Sequence, residues 1–451
     1  MGKLFGTDGI RGIANDTLTV QTAFRVGQAA AVSLNRGGKK PLVVMGMDTR
    51  ISSDMLESAV AAGLCACGAD VVRLGVIPTP AVAYLTTFLK ADAGVVISAS
   101  HNPYEHNGIK MFSSEGFKLS DELEAEMEEL ILRREPPETV THDAIGQIRD
   151  GRAYLDDYIR HLLSTVPPLK GLRLCVDLAN GASCATAKKL FSALELDVTY
   201  LHDAPTGTNI NTDCGSTHLQ SLCEAVRAGG FDLGFAFDGD ADRCLAVDEL
   251  GRPMDGDQMM AACAMALRQK GELPGGGFVA TVMSNLGLHK FMKENGLTLL
   301  CASVGDRNVL EMMQKEGMVL GGEQSGHIIF LRYMPTGDGE LTALQMLAVL
   351  QQSGKKLSEL ADAVTHYPQV LLNVAAPHDG GAKAALCDAP SIRQAKAEAE
   401  ALLQGEGRVL LRPSGTEPLI RVMVEAATEE TAQKAANIVA EAVKKQTDAI
   451  F

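Results

Sequence analysis

With 451 residues and 46% hydrophobic side chains, the chain is too long for a single core, and its length suggests about three domains. The formal charge is -15, from 41 Lys and Arg against 56 Asp and Glu, with no long basic block; this argues against nucleic acid and anionic membranes as partners. Ten cysteines occur without a CxxC pair, several inside apolar runs, which reads as reduced, buried thiols in a cytoplasmic protein and not as a zinc site or disulfide framework. Met1 to Gly6 holds no apolar signal core, Gly6 breaks the myristoylation pattern, and no run is long and apolar enough to span a bilayer.

The first notable segment is Phe5-Gly-Thr-Asp-Gly-Ile-Arg-Gly12, a glycine-rich loop whose backbone can approach a ligand and which projects Arg11. Apolar positions from Val20 to Leu34 fall at helical spacing and stop at Asn35-Arg-Gly-Gly38. Pro41 to Met45 reads as a buried strand, Leu56 to Cys67 as a helix and Val71 to Leu74 as the next strand, a βαβ unit. Val95 to Ile97 reads as another short buried strand, followed by Ser98-Ala-Ser-His-Asn-Pro103. Pro103 blocks regular structure and pushes Asn102 out of the helical region, so a fixed turn carries the Ser100 hydroxyl beside His101, with Lys110 a few residues on. Such a turn suits a nucleophile with cationic neighbours, and equally a serine that only caps the turn.

The strand, small-residue loop, helix, strand pattern returns at Leu172 to Leu201, with a helix expected over Ala185 to Leu194, and again at Phe278 to Ala302. Three α/β units of one design suggest three related mixed-sheet domains. Between them, Asp238-Gly-Asp-Ala-Asp-Arg243 follows the apolar strand Leu233 to Phe237. If that segment is extended, Asp238, Asp240 and Asp242 share one face, where three carboxylates call for a cation such as Mg²⁺. Arg243 stands where an EF-hand needs glycine. Val304-Gly-Asp-Arg-Asn-Val309 joins a strand to a helix and could present Arg307 to a ligand, although N-capping by Asp306 explains half of the pattern. In Gly321-Gly-Glu-Gln-Ser-Gly-His327, Glu323 and Ser325 offer hydrogen-bond partners for sugar hydroxyls, although the segment also reads as a hairpin connection. A final unit after Pro368 has strands at Arg408 to Leu411 and Leu419 to Ala426, then a helix capped by Thr428. Its loop, Arg412-Pro-Ser-Gly-Thr-Glu-Pro418 with Arg421 behind it, has the hydroxyls, backbone N–H groups and guanidinium groups of a phosphate nest. It lacks the Gly-Lys-Ser/Thr ending of a nucleotide loop. The punctuation divides the chain at 1–153, 154–256, 257–369 and 370–451. Seven further histidines, His202 among them, share no spacing and read as surface or packing residues.

In this order, from Gly6-Thr-Asp-Gly-Ile-Arg-Gly12 to Ser414-Gly-Thr-Glu-Pro418, the motifs resemble the α-D-phosphohexomutase superfamily over the whole chain, most closely its branch acting on glucosamine phosphates. The resemblance implies an α/β fold of four domains around a central cleft, three related mixed-sheet domains and a smaller C-terminal α+β domain. It implies a phosphoserine at Ser100, and Mg²⁺ held by Asp238, Asp240, Asp242 and a phosphoserine oxygen. It further implies Lys110, Arg11, His101 and His327 at the reacting end, Glu323 and Ser325 on sugar hydroxyls, and Arg412, Ser414, Gly415, Thr416 and Arg421 on the non-reacting phosphate. The activity implied interconverts glucosamine 6-phosphate and glucosamine 1-phosphate through a bisphosphate, in supply of amino-sugar nucleotides and cell-wall precursors. A hexose or hexosamine bisphosphate would be the activator, a sugar phosphate the partner, and a homodimer is left open. The rival within the superfamily is phosphomannomutase/phosphoglucomutase activity; outside it, a sugar-phosphate sensor. Asn308 stands where the superfamily often has an aromatic residue, which bears on loop packing.

Overall fold

A computed structural model describes residues 4–6, 9–35, 38–377, 379–414 and 418–448. The chain groups into two compact units, Met1–Met283 with Leu297–Ala363, and Ser284–Gly296 with Val364–Phe451.

The first unit holds three sheets. The first contains β1 (Ile10–Ile13), β2 (Leu42–Met47), β3 (Asp70–Val76), β4 (Ala93–Ile97), β5 (His106–Ser113) and β6 (Ile148–Asp150), in the order β1-β5-β4-β2-β3-β6. The second contains β7 (Lys170–Asp177), β8 (Glu195–Leu201), β9 (Leu233–Phe237), β10 (Cys244–Asp248) and β11 (Pro253–Met254), in the order β11-β10-β9-β7-β8. The third contains β12 (Gly277–Thr281), β13 (Thr298–Ala302), β14 (Leu320–Gly322) and β15 (Ile328–Phe330), in the order β13-β12-β14-β15.

These three sheets repeat one design. In each, a parallel set of three strands, extended in the first sheet by β6 beside β3, is followed by a strand that returns antiparallel: β5 beside β4, β10 beside β9, and β15 beside β14. The inner strands β2, β4 and β9 are apolar runs because both their faces are covered. Ser100, the Asp238–Asp242 segment and the Glu323–Ser325 segment occupy equivalent connections, each between the third parallel strand and its antiparallel return. Loops at the carboxyl ends of parallel strands are where α/β sheets place ligands.

Helices Val20–Leu34 and Ser53–Ala66 cover the first sheet and approach each other through Gly27 and Gly63, where any Cβ would collide with the facing helix backbone. The core beneath them includes Val26, Leu56, Val60, Leu64, Val43 and Met45. The helix expected over Ala185 to Leu194 is instead a 3-10 turn, Ala182–Ala185, and a short helix, Ala187–Ser192. Thr186 breaks it, because its hydroxyl turns inward to the buried Glu340 carboxylate.

The second unit is a three-stranded antiparallel sheet, β16 (Gln369–Ala375), β17 (Gly407–Pro413) and β18 (Leu419–Ala426), in the order β16-β18-β17. Its core joins Val409, Ile420, Val422 and Val424 to Ala435, Val439 and Val443 of the final helix. That helix starts after Thr428, whose hydroxyl accepts from Thr431 N at 3.3 Å. Helix Leu286–Glu294 follows β12 in sequence but belongs to this unit, with Leu286 N donating to Glu425 Oε2 at 2.9 Å.

Candidate active site

The turn after β4 holds Ser100 in a left-handed conformation, φ +52°. A side chain there is strained and needs its surroundings to hold it. Ser98 Oγ accepts from Ser100 N at 3.0 Å. Arg50, fully buried and paired with Asp48, donates to the Ser100 carbonyl at 3.0 Å and to the Asn102 carbonyl. Asn211 Nδ2 donates to the same two carbonyls, at 2.9 and 3.2 Å. The sequence suggests an open hydroxyl, but Ser100 is only 3% exposed, because its Oγ donates to Asp238 Oδ2 at 2.6 Å. His101 Nδ1 lies 3.4 Å from the same oxygen.

Asp238, Asp240 and Asp242 do converge, with carboxylate oxygens within 4.8 Å of one another. The cause differs from the expected pleat: the segment is a turn, with Ala241 at φ +57°, not an extended strand. All three are buried. Thr79 Oγ1 donates to Asp240 Oδ2 at 2.7 Å and Arg243 N to Asp238 Oδ1 at 3.2 Å. Burial, then repulsion from Asp242 and Asp240, pushes the Asp238 carboxyl well above the ordinary range. Burial and Asp240 likewise lift Asp242 to about 6. Asp240 is pushed up by burial too, but Lys110, the Thr79 hydrogen bond and Arg11 outweigh it and hold it low. Asp240 Oδ1 and Asp242 Oδ1 are buried and have no hydrogen-bond partner among the described residues. Crowded, repelling oxygens with unused lone pairs are a donor set that fits a hard divalent cation such as Mg²⁺.

Lys110 lies on β5 opposite Val96 of β4, which carries it toward this cluster. Its Nζ is 4.0 Å from Asp242 Oδ2 and 3.8 Å from Asp306 Oδ2. Arg11 lies on β1 opposite Gly108, where a Cβ would crowd the Arg11 side chain and the Ser98 carbonyl. Thr7 and Asp8 of the same motif lie outside the described residues. His327, 3% exposed, has both ring nitrogens buried without a hydrogen-bond partner among the described residues.

Glu323 and Ser325 sit at the tip of the β14–β15 hairpin, so the hairpin connection expected from the sequence is present. Glu323 Oε1 accepts from Gly305 N at 3.1 Å, fixing that tip to the Gly305–Asp306 turn. Asp306 is not the helix cap; Gly305, with φ +122°, is, and the half-buried Asp306 carboxylate is turned toward Lys110 instead. Burial opposes its charge, but Lys110 and His327 hold it near a pKa of about 2. A cavity of about 280 Å³ is bounded by Lys110, Lys118, Ser120, Asp306, Arg307 and His327. A larger one, about 760 Å³, is lined by Lys118 and Arg307 but also by Asp121, Glu124, Glu128, Glu129 and Glu311, and this excess of carboxylates is ill suited to a phosphate.

In the second unit, Arg412 and Arg421 stand directly opposite each other on β17 and β18. Burial, then the Arg421 charge, lowers the Arg412 pKa. Like charges placed opposite on a sheet are destabilising, and an anion between them removes the conflict. Ser414 is buried and its carbonyl accepts from Lys383 Nζ. Gly415 and Thr416 lie outside the described residues.

Sequence reasoning missed Arg50, Asp48, Asn211, Thr79 and Asp306. Arg50, Asn211 and Thr79 act on residues distant in the chain and left no local spacing to read, while Asp48 acts through its neighbour Arg50. Asp306 carried a signal, an acid beside a glycine at a helix start, but one that capping alone also explains.

Models of the phosphoglucomutase/phosphomannomutase family match nearly the whole chain: its alpha/beta/alpha domain I over residues 2–138, domain II over 153–251, domain III over 255–367 and the C-terminal domain over 371–442. A phosphoglucosamine mutase of Acetivibrio thermocellus is 51% identical over 97% of both chains, and one of Moorella thermoacetica is 51% identical over 95% of this chain and 96% of the relative. Among solved structures, a phosphoglucomutase/phosphomannomutase family protein of Burkholderia thailandensis has a TM-score of 0.80 at 24% identity, covering 97% of both chains. Aspergillus fumigatus N-acetylphosphoglucosamine mutase, solved with GlcNAc-6P and magnesium, has a TM-score of 0.68 at 19% identity, covering 98% of this chain and 96% of that one. The chain belongs to the phosphoglucomutase/phosphomannomutase family of isomerases and, within it, to the phosphoglucosamine mutases.

Proposed function

We propose that this enzyme interconverts glucosamine 6-phosphate and glucosamine 1-phosphate by passing a phosphoryl group between Ser100 and the sugar. The observation that carries the reading is Ser100 itself: a strained, buried hydroxyl whose Oγ is 2.6 Å from one of three convergent carboxylates, with Lys110 at 4.0 Å from another. A serine that only capped the turn would not need Arg50 and Asn211 on its carbonyl.

Asp238, Asp240 and Asp242 would hold Mg²⁺, together with an oxygen of phosphorylated Ser100. Bound there, the ion supplies charge neutralisation for the transferring phosphoryl group. Lys110 and Arg11 are fixed cations at the same end, and they stabilise charge without reorganising. In the first half-reaction the Ser100 Oγ–P bond breaks, a bond from a sugar hydroxyl oxygen to phosphorus forms, and the hydroxyl proton passes to a base. His327 and His101 are the candidates for that proton. The second half-reaction returns the other phosphoryl group to Ser100. Glu323 and Ser325 hold sugar hydroxyls; Arg412, Ser414 and Arg421, with Gly415 and Thr416, bind the phosphate that is not moving. A hexose or hexosamine bisphosphate charges the enzyme at the start. This activity belongs in the cytoplasm.

Arg421→Ala is expected to raise KM for both monophosphates by about 10–100-fold, the equivalent of one charge-assisted hydrogen bond of about 1.5–3 kcal/mol, with a smaller change in kcat. Steady-state kinetics in both directions measures this. An unchanged KM for both isomers would remove the anchor role.

Glucosamine 1-phosphate should be preferred over glucose 1-phosphate by about one to two orders of magnitude in kcat/KM, because an ammonium at C2 gains a charge-assisted hydrogen bond that a hydroxyl does not. Mannose 1-phosphate, with an axial C2 hydroxyl, should be turned over less well than glucosamine 1-phosphate. The test compares the three under one metal and activator condition. Equal or better turnover of mannose 1-phosphate would reject the glucosamine assignment and leave the mutase chemistry standing.

A further inference from the structure

A second group of donor side chains lies outside the site described above. Asp177 ends β7, His202 follows β8, and Cys214 precedes a 3-10 turn; their ligand atoms lie within 4.8 Å of one another. Asp177 and Cys214 are fully buried, while the His202 side chain is 30% exposed, which gives a path from solvent. His202 Nδ1 is itself buried and 3.0 Å from Asp177 Oδ2, yet outside hydrogen-bond geometry. The Asp177 oxygens each accept one backbone N–H, from Ala179 and from Gly215, both at 2.9 Å. Those bonds fix the carboxylate and leave further lone pairs. Asn180 Nδ2 stands 4.0 Å from Cys214 Sγ, but burial and the Asp177 charge push the thiol up to about 12, so only a bound cation would displace its proton.

We propose that Asp177, His202 and Cys214 form a three-donor site for a zinc-type divalent cation, separate from the three-aspartate cluster. One sulfur, one imidazole nitrogen and one carboxylate oxygen are the donor mixture of zinc, not of Mg²⁺, and the outer hydrogen bonds resemble those that orient metal ligands. Binding replaces the thiol proton, which leaves to solvent. The sequence gives no hint of this, since the donors are spread over three connections and share no short spacing. The backbone here is unusual: Ala179, Asn180, His202, Asn211 and Asp213 all have φ between +47° and +59°. The same segment carries Asn211, which holds the Ser100 and Asn102 carbonyls, and Ala182, whose N donates to Gly239 O at 2.8 Å in the aspartate turn. An ion at this place therefore braces both loops of the active site from behind.

The test uses full-length protein saturated with Mg²⁺ and titrated with Co²⁺, followed by Zn²⁺. The expected result is one equivalent of Co²⁺ with a thiolate-to-cobalt charge-transfer band, displaced by Zn²⁺. Cys214→Ser should abolish the band. His202→Gln, at a partly exposed position, should weaken Co²⁺ binding more than about tenfold, since even outer partners of a metal are worth about 10–100-fold. Asp240→Asn should leave the band in place. Absence of the band in the unaltered protein overturns the proposal. So does a band that survives both Cys214→Ser and His202→Gln, because it then comes from another cysteine. If Cys214→Ser fails to fold, His202→Gln decides alone.

Discussion

Ser100→Ala should reduce mutase turnover by about 10³-fold or more, as loss of a covalent nucleophile does, while leaving the fold intact. The left-handed backbone strain is the same for alanine as for serine, since both carry a Cβ. What is lost is one hydroxyl that donates to Asp238 at 2.6 Å. Asp238 is already pushed toward its neutral form by burial and by its two neighbours, so the missing donor should change stability by only about 1 kcal/mol. The expected pattern is a near-normal melting temperature with activity near background. The assay needs a host lacking its own enzyme, because traces of wild type would mask the loss. Full activity in Ser100→Ala would end the phosphoserine mechanism.

Asp240→Asn should lower kcat by about 10²–10³-fold with little change in KM, because it removes charge that acts in the transition state and leaves the sugar and phosphate contacts alone. Its effect on stability has two opposed parts. Asp240 is the charged member of three buried carboxylates, and its charge raises Asp242. Removing that charge lets the Asp242 pKa fall from about 6 toward its ordinary value. A carboxyl with a raised folded-state pKa loses stability as pH rises from its unfolded value through its folded one. Easing that shift favours the fold near neutral pH, while losing the Asp240 charge that Lys110 and Arg11 stabilise disfavours it. Asn can still accept from Thr79 Oγ1, so the turn keeps its tie. The variant should gain less stability than wild type on addition of Mg²⁺. Wild-type activity should vanish in EDTA and return with Mg²⁺. Activity indifferent to EDTA, together with normal kcat in Asp240→Asn, would be incompatible with the aspartate cluster as a metal site.

Much of this was legible in the sequence, and the reasons are physical. The inner strands are short apolar runs bounded by small residues, so the three βαβ patterns stand out. The motif residues sit at strand ends, where few other residue types would leave polar groups at the end of a buried strand. The antiparallel return strands were harder. From the sequence Lys110 is only a cation a few residues past the Ser100 turn; it belongs to β5, and pairing with β4 shows why it faces the cluster. The helix Gly339–Ser353 has no polar stripe, being buried from Gly339 through Leu344 and from Met346 through Leu350, so helical periodicity cannot reveal it. The convergence of the three aspartates was anticipated for the wrong reason, since Ala241 turns the chain where an extended segment was expected. The grip on Ser100 was not legible at all. Arg50 and Asn211 reach its carbonyl from 50 and 111 residues away, and neither lies in a motif. Long-range polar contacts of this kind are set by sheet order, which no local spacing encodes.

The central claim is that Ser100 carries the phosphoryl group that moves. The most direct measurement is a single-turnover chase of isotopically labelled phosphoenzyme, with the label located by peptide mass spectrometry before and after excess glucosamine 1-phosphate. The account predicts label on Ser100 at the start, its loss within one turnover, its appearance in a sugar bisphosphate and then in the product, and unlabelled phosphate on Ser100 afterwards. Label that stays on Ser100 through many turnovers, or full turnover by protein with no phosphate at Ser100, would contradict it.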